Sequence, residues 1–155
     1  MVNTTVAGRQ EHPAVTALAG GRFVVTWTDS SRTGADTLQT AVRGQMFKAD
    51  GSKAGDEFLV NTVAQGFQLS PAAASLADSR FVVMWSDVTL TATGSDIGGQ
   101  LFKPDGSKSG EVFVANTAGG NQLNPAIAVL ANGRFVVAWT DTRQTGAVRG
   151  QQFTV

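Results

Sequence analysis

The chain has 155 residues, 12 basic and 12 acidic side chains, one histidine and no cysteine. That length suits one compact domain, the missing cysteines exclude a disulfide framework and thiolate-built metal sites, and zero net charge argues against binding a phosphate backbone, which needs a basic face. Charged residues are 15%, while glycine and valine each occur 18 times and threonine 17 times, a composition of strands separated by tight turns.

The N-terminus, Met1-Val2-Asn3-Thr4-Thr5, has no basic patch followed by an apolar stretch and is not expected to be a signal peptide. Met1 reads as a start placed on an excised segment, so the export signal of a secreted parent would lie elsewhere. No apolar run approaches the ~20 residues needed to cross a bilayer as a helix.

A first unit then runs from the Asn3-Thr4 pair through Gln10 and Pro13 to Arg22-Phe23-Val24-Val25-Thr26-Trp27-Thr28-Asp29. It continues to Gly44-Gln45-Met46-Phe47 and the Asp50-Gly51 pair. The second unit repeats these landmarks from Asn61 through Gln68 and Pro71 to Arg80-Phe81-Val82-Val83-Met84-Trp85-Ser86-Asp87, then Gly99-Gln100-Leu101-Phe102 and Asp105-Gly106. The third repeats them from Asn116 through Gln122 and Pro125 to Arg134-Phe135-Val136-Val137-Ala138-Trp139-Thr140-Asp141 and Gly150-Gln151-Gln152-Phe153. The repeat units fall at about 2–59, 60–114 and 115–155 of a single repeat domain.

Each unit breaks into four short extended segments. In the second unit they are expected at 72–76, 80–85, 97–102 and 111–114. Asp-Gly pairs supply the positive φ of tight hairpin turns. No ten-residue window has a 3.6-residue period, so essentially no helix is expected. The second strand is apolar on both faces, which places it inside stacked sheets. Four strands per unit suit a β-propeller blade; a β-trefoil is the alternative. A propeller carries ~4–8 blades and this chain only three, so the arc is expected to pair with itself, most simply as a homodimer closing six blades. The third unit reaches only its third strand by Phe153. The donor of the missing strand could be Val2-Asn3-Thr4 of another chain.

The pattern P-x-x-A-x-L-x-x-G-R-F-V-V-x-W-x-D, followed by G-Q-x-F-x-x-D-G-S-x-x-G-x-x-F-x-V-N-T, resembles repeats of very large secreted bacterial proteins of the RTX and adhesin-like kinds. It is also similar to the Asp-box class of propeller blade found in sialidases and propeller lectins. The resemblance implies an extracellular or cell-surface location within a larger secreted protein. The Asp-box string itself is not matched, and the glycine-rich calcium nonapeptide of RTX proteins is absent.

Chemistry is weighed against plain structure at each recurring polar position. The sialidase-type tyrosine nucleophile is missing, since the chain has no tyrosine. Glycoside hydrolysis otherwise needs two carboxylates across a cleft, and no acidic pair stands out. The expectation is therefore no catalytic residue and a non-enzymatic carbohydrate- or surface-binding module of the lectin or adhesin type, with a structural or engineered self-assembling half-propeller as the alternative. Glycans and a second copy of the chain are the expected partners, with neither nucleic acid nor membrane insertion. Trp27, Trp85 and Trp139 suit either core packing or sugar stacking. Asp29, Asp87 and Asp141 open the variable loops at 30–40, 88–95 and 142–146, and either close a turn or meet a ligand. Gln45, Gln100 and Gln151 suit a cross-strand network or a hydroxyl-rich ligand. Arg43 and Arg149 occupy matched places where the second unit has Gly98. Calcium is kept open at Asp29 with Asp36 and at Asp87 with Asp96, but two carboxylates fall short of the 6–8 oxygens it takes, and no metal ligand is assigned. His12 reads as a solvated loop residue.

Overall fold

A computed structural model describes residues 1–34, 38–88, 94–116, 119–143 and 146–154. Eleven strands form three antiparallel sheets, one per unit. The first sheet runs β1 (Gln10–Ala17), β2 (Phe23–Asp29), β3 (Ala41–Phe47) and β4 (Phe58–Leu59). The second runs β5 (Gln68–Ser75), β6 (Phe81–Asp87), β7 (Asp96–Phe102) and β8 (Lys108–Val114). The third has three strands, β9 (Gln122–Val129), β10 (Arg134–Asp141) and β11 (Ala147–Thr154). As expected from the sequence, the third unit has only three strands among the described residues, and β11 is an open edge. Apart from two three-residue 3-10 turns, no helix is found among the described residues.

In the second unit the first strand begins at Gln68, four residues before the start expected from the sequence. The hidden stretch is a bulge. Pairing skips from Leu69 to Ala72 and from Glu11 to Ala14, with positive φ at His12 (52°), Ser70 (53°) and Asn124 (54°) just before each proline. A bulge absorbs the residue that cannot join the ladder. His12 therefore lies in a strand, exposed, not in a loop.

The sheets stack face to face. Leu18, Val24, Val42 and Met46 of the first unit pack with Val60, Phe81, Val83, Trp85 and Phe102 of the second. Leu76, Val82, Met84 and Ile97 of the second pack with Ala115, Phe135, Val137 and Trp139 of the third. The middle sheet is covered on both faces, which explains why every residue of β6 is buried. Stacked rings lock each unit: Phe23 on Phe47, Phe81 on Phe102 and Phe135 on Phe153 have centroids 4.8, 4.9 and 5.2 Å apart, within the distance range of favourable aromatic pairs. β1, β5 and β9 lie side by side across the three sheets, so the first strands line the inner side of the arc. This is a stack of separate sheets, not the β-trefoil.

Candidate functional site

The pairing of β1, β2 and β3 sets Gln10 beside Asp29 and Asp29 beside Ala41. The starts of the first and third strands and the end of the second therefore share one rim of the sheet. The same holds for Gln68, Asp87 and Asp96, and for Gln122, Asp141 and Ala147. The loops of variable length leave from this rim, so each aspartate stands at its base.

The three aspartates are held differently. Asp29 accepts from Ser31 Oγ at 2.6 Å, Arg43 Nε at 2.5 Å and Gln10 Nε2 at 3.1 Å. Burial pushes its carboxyl up, but the bonds from Ser31, Gln10 and Arg43 outweigh that and hold it below the ordinary range. Asp87 instead accepts the indole Nε1 of Trp85 at 2.9 Å and Gln68 Nε2 at 3.4 Å. Asp141 accepts from Arg143 Nε at 2.9 Å and from Arg149. The Arg143 bonds above all, with Arg149, hold its carboxyl well below the usual range against the cost of desolvation.

Third-unit residues form an open cleft of about 180 Å³ lined by Trp139, Asp141, Arg143, Arg149, Gln151 and neighbours. Arg149 has a 55% exposed side chain where the matched Arg43 has 11%, because no fourth strand covers β11. Of the residues singled out from the sequence, Trp139, Asp141, Arg149 and Gln151 meet in this cleft. Trp27, Asp29 and Arg43 belong to the first unit, Trp85 and Asp87 to the second. All three tryptophans are buried, at 4, 1 and 6% exposure; Trp85 and Trp139 lie in the two inter-sheet cores, whereas Trp27 lines a pocket of the first unit with Val2, Pro13 and Val25. Gln45 and Gln100 are buried, and their Nε2 groups donate to Gly55 O and Gly110 O at 3.0 Å each. Those two amides tie the third strand to the segment after it, the turn before β4 in the first unit and β8 in the second, and are spent on structure.

Arg143 was not singled out from the sequence, though it contributes most to holding Asp141 ionised. Its signal is that the third unit alone places an arginine two residues after the aspartate, where the first has Ser31. Asp36 lies outside the described residues. Asp87 and Asp96 face each other across β6 and β7, and Asn116 Nδ2 donates to Asp96 Oδ1 at 2.7 Å. Among the described residues, no group of three or more His, Cys, Asp or Glu side chains could hold a metal ion. Among the described residues no helix is long and apolar enough to cross a membrane.

No protein-family model and no curated protein matches the chain. Solved structures do. An endo-arabinase from Bacteroides thetaiotaomicron VPI-5482 superposes with a TM-score of 0.64 at 14% identity, over 94% of this chain and 56% of that one. A thermostable family-43 glycoside hydrolase gives 0.61 at 12%, over 94% and 55%. The NanB sialidase of Streptococcus pneumoniae gives 0.61 at 12%, over 99% and 24%. The three sheets are β-propeller blades. The chain spans about half the length of the first two structures and a quarter of the third. At such identities the likeness establishes the fold. It also corrects the expectation of a non-enzymatic binding module: these blades are shared with glycoside-cleaving enzymes, so a propeller of this kind is no argument for a lectin or a bare spacer.

Proposed function

We propose that the chain is part of a carbohydrate-active propeller of the glycoside hydrolase type, with Asp141 as the ionised carboxylate that meets the sugar. The observation that carries this is the third-unit cleft at the blade rim, with Asp141, itself 2% exposed, at the base of the variable loop. Its carboxylate is kept charged by Arg143 and Arg149, and its wall carries the amide of Gln151. Glycoside cleavage pairs one ionised carboxylate, as nucleophile or base, with one protonated acid. Two guanidiniums suit Asp141 to the first role and bar it from the second. The proton donor has to be a carboxyl whose pKa is raised. Asp141 is the one carboxylate among the described residues that line the cleft, so the acid has to be a second carboxyl brought to it when the ring is complete. The absence of tyrosine directs the chemistry to carboxylates. The cysteine-free composition and the repeat strings support a place in a large exported protein.

The test is release of reducing ends from arabinan, arabinoxylan and aryl glycosides by the assembled protein. Hydrolysis that disappears in Asp141→Asn, with the thermal transition retained, is the expected result. No hydrolysis of any of these substrates, or an Asp141→Asn variant as active as the parent, overturns the reading.

A further inference from the structure

The two seams inside the arc are fastened alike, and the chain carries both halves of a third. At the first seam Val60 N–H donates to Val42 O at 2.8 Å, and Val42 N–H donates to Asn61 Oδ1 at 2.9 Å. At the second, Ala115 N–H donates to Ile97 O at 2.8 Å, and Ile97 N–H to Asn116 Oδ1 at 2.7 Å. Nearer the inner side, the bulge residue of the following blade donates its N–H to the hydroxyl before the rim aspartate. These bonds are Ser70 to Thr28 Oγ1 and Asn124 to Ser86 Oγ, each 3.0 Å. The matching residues of a third seam are Val148 and Thr140 on the last blade, and Val2, Asn3 and His12 on the first.

These halves are shaped and unjoined. Asn3 Nδ2 donates to Thr5 O at 2.7 Å and to Gln10 Oε1 at 3.5 Å. Asn61 Nδ2 does the same to Val63 O at 2.8 Å and Gln68 Oε1 at 3.4 Å. The two carboxamides are thus turned alike, yet Asn3 Oδ1 accepts nothing among the described residues. His12 already has the positive φ of Ser70 and Asn124. On the last blade, the ladder alternation that aims the Val42 N–H away from β2 aims the Val148 N–H away from β10, over the open edge. Val148 is 83% exposed, where Val42 and Ile97 are 0%. The apolar faces repeat the pattern. Phe23 and Val25 are half-buried where Phe81 and Val83 are fully covered, and Leu130 is exposed where Leu18 and Leu76 are buried.

We propose that a second copy of this chain completes the seam. Val2 and Asn3 of one copy clasp Val148 of the other, His12 N–H donates to Thr140 Oγ1, and two such seams close a ring of six blades. The occupant is argued from continuity. The interface needed is the one already used twice within the chain, and each copy offers one first-blade face and one last-blade face. A head-to-tail contact of this kind either closes into a ring or grows without limit, and a twofold ring of two arcs leaves neither apolar face wet.

Light scattering of the full chain at micromolar concentration is expected to give twice its 16.1 kDa. Val148→Lys alters a side chain that is solvated in a single copy, so the arc should stay folded, while the ammonium enters the seam and gives a monomer. Asn3→Ala and Thr140→Val each remove one hydrogen bond per seam. Each loss is expected to weaken a seam about three- to tenfold, and so to raise the dimer dissociation constant by about ten- to a hundredfold over two seams. A monomer of the parent chain, an open-ended polymer, a dimer that withstands Val148→Lys, or dissociation constants unmoved by both Asn3→Ala and Thr140→Val each overturn the proposal.

Discussion

The indole Nε1 of Trp85 donates to Asp87 Oδ2 at 2.9 Å, in the place where Arg43 holds Asp29 in the first blade. One position of the third strand decides this. It carries Arg43 in β3 and Arg149 in β11, but Gly98 in β7. A Cβ on Gly98 would stand 2.7 Å from the Trp85 ring, so the indole uses the room that arginine takes elsewhere. In the arginine-bearing blades the aspartates are engaged by guanidinium, and the buried Nε1 groups of Trp27 and Trp139 have no partner.

Gly98→Ala should therefore destabilise the protein by about 1–3 kcal/mol, the range for forcing a methyl into a packed core. Chemical denaturation measures it. Because the ring lies against the backbone of β7, a neutral result would mean that the Trp85–Asp87 arrangement is not held by that contact.

Asp29→Ala leaves the Arg43 guanidinium nearly buried, at 11% side-chain exposure, without its carboxylate. Losing one partner of such a pair costs about 3–5 kcal/mol. The pH dependence has a definite sign. The folded carboxyl titrates below its ordinary value of 3.8, so its contribution is fully present above that value and drains away as pH falls through the folded pKa. The urea midpoint of the parent should drop as pH falls below about 4, and that drop should be shallower in Asp29→Asn.

Glycines on the third strands separate a covered edge from an open one. A Cβ on Gly99 would meet the Phe113 ring at 2.4 Å and one on Gly44 the Phe58 ring at 2.5 Å, whereas on Gly150 the nearest atom is the Val137 carbonyl oxygen at 3.1 Å. Gly99→Ala should cost about 1–3 kcal/mol, and Gly150→Ala clearly less. Equal losses would contradict an uncovered β11 edge.

Trp85 is 1% exposed between the first two blades. Trp85→Ala should cost about 3–5 kcal/mol, as for other core aromatics. A stable variant would remove the tryptophans from the core.

Much of the blade architecture was legible because the Phe-Val-Val-x-Trp string serves one purpose three times: it is the strand buried between sheets, and burial on both faces leaves a uniform apolar run. The bulges were not legible. His12, Ser70 and Asn124 share no chemistry, and what they share is a backbone angle before proline. The Asn-Thr pairs could be seen to recur, but the task of Asn61 and Asn116 is to accept an N–H from a strand 19 residues earlier, a relation that only register reveals. At the cleft, Asp141 and Arg149 stood out through repetition. Arg143 did not, because its loop differs in sequence and length from unit to unit, and repetition is blind to what occurs once.

Amide hydrogen exchange at Val42, Ile97 and Val148 tests most directly whether the fastening of the internal seams is used a third time. The two internal amides should exchange slowly at every protein concentration. The Val148 amide should join them where the protein is associated and exchange freely on dilution. A Val148 amide that stays as labile as an open strand edge at concentrations where the mass has doubled would contradict the account.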